Sequence, residues 1–327
     1  MKRSALTLLL VALAAVVAAG LLLGEIALTP AQYAQAITDP GSPPGEVIWT
    51  IRLPRALMAA LVGGGLGLAG ATLQGLLRNP LADPGVLGVS AFAGLGAALT
   101  IALGLSGLTG AVEVGALVGA LAAGLLVSGL AARFREPEAL ILLGVSLSAL
   151  GGALTALIFN FSPSPVATAE VMNWLLGSVA NRDLSDIVRA AIPMAVGAAL
   201  CLWSARGLTM LTLGEETAAL SGLPMAALRT AAVAGAALLT GAGVAAAGVV
   251  GFVGLAAPHL VRPLVGDEPG RVLVPSALAG AILLTAADLI ARILPSEQEL
   301  KLGVVTSLIG APMFALIAWR AARSWRA

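Results

Sequence analysis

Few side chains in this sequence can carry chemistry, and their spacing limits what that chemistry is. One histidine, His259, and one cysteine, Cys201, occur among 327 residues, so neither an internal disulfide nor a cysteine-cluster metal site can form within one chain. The only lysines are Lys2 and Lys301; neither sits in a GxxxxGK[ST] loop, so the chain has no P-loop of its own with which to hydrolyse a nucleotide. Arg52 and Arg55 stand three apart in RLPR, at the mouth of a glycine-rich run. The stretch NPLADPGVLG, from Asn79 to Gly88, sets two prolines, an aspartate and an asparagine between apolar runs. Glu215 and Glu216 lie in LTLGEETAALSGLPMAALR, and Asp288 precedes Arg292 by four residues. An acid inside a membrane span is a candidate proton relay, but an arginine one helical turn away makes a structural ion pair the expected role for Asp288. His259 follows Pro258 and is expected to be structural, a polar group near backbone freed by proline, rather than a haem or iron ligand. No paired carboxylates or Ser–His arrangement falls in one predicted layer, so an intramembrane enzyme has little support.

The elements that position these residues are membrane spans. The chain is 59% hydrophobic and 11% charged, where a soluble domain carries about a quarter charged residues. Apolar runs near 5–24, 53–77, 86–108, 112–132, 138–160, 187–206, 229–250, 271–294 and 303–320 are each read as a clear span. A tenth, 251–266, holds Pro258, His259 and Arg262 and is undecided between a half-span and a loop. The first run is longer than a signal-peptide core, so it is expected to be a retained span.

With ten spans both termini share a side. Placing them inside puts Lys2, Arg3, Arg78, Arg133, Arg135, Arg206, Arg229, Arg262, Arg271, Arg320, Arg323 and Arg326 in the cytoplasm, against Arg52, Arg55, Arg182, Arg189, Arg292 and Lys301 outside. That asymmetry favours cytoplasmic termini. Prolines 80 and 84 cannot continue the second span, so the chain must turn back there. The segment 211–229 reads as two short inner helices with a turn at Ser221 to Leu223, and Ala169 to Val179 as a short interfacial helix carrying Trp174. Gly63, Gly65, Gly70 and Pro80 echo Gly241, Gly243, Gly248 and Pro258 at an offset of 178, in the inverted sense found in transporter repeats. No basic tract interleaved with aromatics appears, so no nucleic-acid partner is expected.

RLPR with NPLADPGVLGVS, then GFVGLAAPHLVR, then ADLIAR through LGVVTSLIGAPMF resemble, in order, the signatures of the iron-siderophore and cobalamin importer permeases, the membrane subunits of type II ABC importers. The resemblance covers nearly the whole chain. It implies an all-α bundle of about ten spans forming one permease domain, 1–327, in the bacterial inner membrane. It also implies a homodimer around a central path, two cytoplasmic ATPase subunits and a periplasmic substrate-binding protein. Cofactors are expected on the ATPase, as ATP and Mg, and none in this chain. By the same resemblance Arg52, Arg55 and Arg292 are docking sites for acidic residues of the binding protein. Asn79, Pro80 and Leu81 belong to a cytoplasmic gate. Glu215, Glu216, Ala218, Gly222, Leu223 and Pro224, in a coupling segment at about 209–229, contact the ATPase.

Two functions follow. One is ATP-driven import of an iron-siderophore, haem or cobalamin; the other is a secondary transporter that uses Asp288 and the broken segment 251–266 for ion coupling. The passage is expected to be apolar, leaving substrate recognition to the binding protein.

Overall fold

The computed structural model describes residues 3–131, 133, 137–162, 164–294 and 299–324. Lys2, Arg135 and Arg326, which enter the count of basic residues, lie outside them. Regular structure among the described residues is helical. In order these are α1 (Arg3–Leu22), α2 (Pro30–Thr38), α3 (Pro43–Gly45), α4 (Leu53–Leu76), α5 (Val89–Ala102), α6 (Ala111–Ala131), α7 (Pro137–Phe161), α8 (Pro165–Leu175) and α9 (Leu184–Trp203). Then come α10 (Ala205–Met210), α11 (Glu215–Leu220), α12 (Met225–Ala247), α13 (Val253–Val265), α14 (Pro269–Ile293) and α15 (Leu302–Ser324). A wide π-type turn, Glu46–Arg52, feeds α4.

Seven helices among the described residues are long and apolar enough to cross a membrane, while Val89–Ala102, Val253–Val265 and Leu302–Leu316 are shorter apolar helices. The run 86–108 therefore does not form the full-length helix expected. Its 14 helical residues reach ~21 Å, against ~30 Å of hydrocarbon. The chain spends residues 77–88 on an irregular return, and Gly104, at φ 73°, ends the helix on the other side. The undecided segment 251–266 becomes α13, a half-length helix of 13 residues that starts after a non-helical break at 248–252. The interfacial helix is also displaced. It begins at Pro165, where Ser164 caps it, and ends at Leu175.

The middle of the bundle is α4 and α12, each 78% buried, with α14 at 56%; α1 and α7, at 17% and 22%, show most of their surface to the surroundings. α4 and α12 run antiparallel: Met58 shares a cavity with Ala246, Gly243 packs on Val62, Gly65 on Leu239, and Leu76 shares a cavity with Arg229. Small residues make this density possible. A methyl group added at Gly63, Gly67 or Gly70 would overlap the carbonyl of Gly280, Ser276 or Gly254 respectively, so backbone lies directly on backbone. The sequence echo has a structural counterpart. Each of the two most buried helices is followed by an irregular break and a short helix: α4, 77–88 and α5 in one half, α12, 248–252 and α13 in the other.

Candidate functional site

The two breaks meet. Helix α4 stops at Leu76 in a Schellman arrangement: Arg78 takes a left-handed φ of 48° and the Asn79 N–H donates back to the Gln74 carbonyl at 3.2 Å. The Asn79 side chain accepts the Leu81 N–H at 2.9 Å, closing a tight turn that leaves Pro80 and Leu81 exposed. The helix thus ends before Pro80, and the prolines keep the following residues extended. From there the chain climbs back alongside α4. Pro84 packs on Gly254, and Gly254 packs on Leu66 and Gly70, ten and six residues before the end of α4, which is ~9–15 Å inside that end. Gln74, 3% exposed, ties the return together: its amide donates to the Ala82 carbonyl at 3.4 Å, and its oxygen accepts from Arg262 at 2.8 Å. The Asp83 carboxylate accepts the Gly85 N–H at 2.8 Å and caps a 3₁₀ turn over Pro84–Leu87.

On the far side of this return lies an open groove. One part, of about 440 Å³, runs from Asp83 and Gly85 along α5 and α7 to Leu175 and the 249–251 break. A second, of about 640 Å³, shares Leu175, Val249 and Gly251 and continues along α15 past Ser307, Leu308 and Pro312. Irregular backbone at membrane depth is tolerated only where protein or water covers it. A wall built of 83–87 and 249–251 therefore does not face lipid; it faces an aqueous passage or another copy of the chain. His259 lies outside this wall. Its Nδ1 stands 2.9 Å from the Leu255 carbonyl, and among the described residues no group of three His, Cys, Asp or Glu could hold a metal ion.

The outer arginines are not presented at the surface. Arg52, Arg55 and Arg292 are 4%, 9% and 6% exposed. Arg52 donates to the Leu21 and Leu22 carbonyls at 2.8 and 3.2 Å and also to the Ile26 carbonyl. Arg55 grips Asp288 through Nε and Nη2, at 3.0 and 2.8 Å, and pairs with Glu299. Arg292 Nε lies 3.2 Å from the other Asp288 oxygen, and its Nη1 donates to Gly20 at 3.2 Å. The i,i+4 pair read from the sequence is present, and Arg55 joins it from α4. An arginine fork matches a carboxylate, and three cations around Asp288 and Glu299 lock α1, α4 and α14 together. The expected picture of freely presented docking arginines is corrected accordingly: their guanidinium groups are engaged inside the chain.

The inner elbow is a single short helix, not two. α11 spans Glu215–Leu220; Ser221 and Gly222 turn the chain, Gly222 at φ 84°, and after Leu223 and Pro224 the chain enters α12 directly, so the second helix is the first turns of a span. Glu215 pairs with Arg229 across the elbow, and Ala218 is buried beneath it. Glu216 and Leu220 point outward; Leu220 is 90% exposed. Sequence reading passed over Leu220, although an apolar residue just before a Ser-Gly turn in an otherwise polar loop was the available signal.

Residues 9–320 match the FecCD transport family. The chain belongs to that family. Among FecCD-type relatives it is 40% identical to the ABC transporter permease protein YvrB of Bacillus subtilis strain 168, over 86% of this chain and 81% of that protein. It is 39% identical to the vitamin B12 import system permease protein BtuC of Shigella flexneri, over 86% of each. Its fold matches a solved structure, described as an inward-facing conformation and attributed to the metal-chelate type of ABC transporter, with a TM-score of 0.87 at 30% identity, covering 98% of this chain and all of that one. The FecCD-type ABC permease fold accounts for the half-helices: the groove, the buried arginine cluster and the inner elbow all lie within the matched residues.

Proposed function

We propose that this permease is the membrane subunit of an ABC importer that carries a metal chelate or corrinoid inward, as a homodimer, by ATP-driven alternating access. What carries the reading is family membership across residues 9–320; the groove floored by irregular backbone supports a passage where two copies meet. Both termini lie in the cytoplasm of a bacterial inner membrane, and two separate ATPase subunits supply ATP and Mg. The exposed elbow around Glu215, Glu216, Ala218, Gly222, Leu223 and Pro224, with Leu220 at its tip, docks on the ATPase and transmits its motion as a rigid lever. The Asn79–Pro80–Leu81 turn, at the inner mouth of the groove, closes the passage in the resting state. A periplasmic binding protein docks over Arg52, Arg55 and Arg292, and an acidic residue of that partner reaches Arg55 by taking the place of Glu299, the most exposed carboxylate of the cluster.

The ion-coupled alternative needs a carboxylate free to take up a proton. Asp288 is 1% exposed and held by Arg55 and Arg292, which removes the physical basis for that reading. Reconstitution in proteoliposomes with the cognate ATPase and binding protein is the test. Uptake is expected to require ATP and to stop with vanadate. Uptake driven by an ion gradient alone, unaffected by vanadate, would overturn the proposal.

A further inference from the structure

The groove wall is electrically one-sided. Among the described residues that line its two parts there is one charged side chain, Asp83, and no lysine, arginine or histidine. Resting on the reading of the groove as the passage, we propose that Asp83 makes this permease selective for neutral or cationic chelates and against polyanionic ones.

The carboxylate is placed for that role rather than left there by chance. Its extended backbone and the Gly85 N–H fix its direction at the start of the 3₁₀ turn. It is half-buried, with one side on the same 440 Å³ hollow as Ser90, Ala156 and Phe159. The basic groups nearest in the chain do not cancel it. Arg78 is exposed on the inner turn and Arg262 is committed to Gln74. The amino end of α13 lies close, since Pro84 packs on Gly254. A helix terminus supplies only about half a positive charge, so a net negative wall remains. A twofold assembly would face two such carboxylates across one passage, where low-dielectric walls focus the field. A polyanionic chelate would meet like charge and no cation to replace its water; a neutral or cationic one would meet small apolar surface and no penalty.

The test uses reporter cysteines in the full-length permease in nanodiscs, in a Cys201→Ala background, since the native thiol is buried. Ala156→Cys places a thiol in the Asp83 hollow and Ser307→Cys one in the neighbouring part. Each is reacted with a cationic trimethylammonium methanethiosulfonate and its anionic sulfonate counterpart, with rates normalised to a free thiol in solution. The cation is expected to react about tenfold faster at residue 156, and less so at 307, as for a unit charge at ~10 Å in a partly screened cleft. The ratio should shrink with salt, collapse toward one in Asp83→Asn, which keeps a capping oxygen, and persist in Asp83→Glu. Labelling by both reagents with no charge preference, or a preference that survives Asp83→Asn, overturns the selectivity proposal and leaves the passage standing. No labelling by either reagent at either site means the groove holds no water, and then the reading of the passage itself fails.

Discussion

Glycine and alanine do opposite work on the two sides of this bundle. Along the α4–α14 seam, Gly63, Gly67 and Gly70 bring backbone against the carbonyls of Gly280, Ser276 and Gly254. Along the groove, Gly152 and Gly251 have nothing within 4 Å of where a side chain would start. The same residue type closes one region and opens the other. On the seam a small residue maximises contact in a solvent that offers no hydrophobic drive for helices to associate. In the groove it leaves a smooth wall with few fixed contacts. Charge divides the same way: the seam's outer end buries three arginines and Asp288, while the groove carries Asp83 alone.

The largest effect that can break this comparison is steric. Gly70→Val would drive side-chain carbon into the Gly254 carbonyl, where both partners are backbone and neither can swing aside. The cost is expected to exceed the ~1–3 kcal/mol of ordinary overpacking, and no monodisperse protein should survive size-exclusion in detergent. Gly152→Ala, on an equally helical backbone, should be neutral or gain up to ~1 kcal/mol from helix propensity. Equal losses at the two positions would mean that the groove is as tightly packed as the seam.

Next in size is the charge cluster. Asp288→Ala leaves Arg55 and Arg292 buried with less to answer them, and removing one partner of a buried pair costs ~3–5 kcal/mol. Thermal unfolding in detergent should show this, and the double variant Asp288→Ala with Arg292→Leu should recover part of it, because the unpaired charge is then gone. A single variant as stable as the parent would show that the cluster does not hold α4 to α14.

The sequence disclosed the spans and the punctuation between them, and in doing so most of the fold. Asn79 to Pro84 announced a stop because proline lacks an N–H, and Asp288 with Arg292 announced a pair because four residues make one helical turn. What stayed hidden depended on distant chain. Arg55 meets Asp288 and Glu299 across separations of 233 and 244 residues, and no local pattern says that an arginine at a helix mouth will turn inward. The break at 248–252 was equally silent, since its Val, Gly and Phe residues are as apolar as a span; only packing against Gly177 and Trp174 shows why the helix ends there. The return of 83–87 to membrane depth required knowing that Gly254 lies against Gly70.

The smallest effect contrasts a buried carboxylate with an exposed one. Asp183 caps α9: its carboxylate accepts from the Ser185 hydroxyl at 2.7 Å and from the Asp186 N–H at 2.8 Å, and Asp186 returns the bond to the Asp183 N–H at 3.0 Å. The Ser185 hydroxyl first, and then the Asp186 N–H, hold its pKa below the usual carboxylate value. A depressed folded value means that the cap's contribution is fully present above the unfolded pKa, about 3.9, and is lost as pH falls through the lower folded value. Unlike Asp288, Asp183 stands in solvent, so Asp183→Ala should lower thermal stability far less than Asp288→Ala at neutral pH. The difference between Asp183→Ala and its parent should narrow in acid below the ordinary carboxylate range. If that difference is the same in acid as at neutral pH, ionisation of Asp183 plays no part in holding the start of α9.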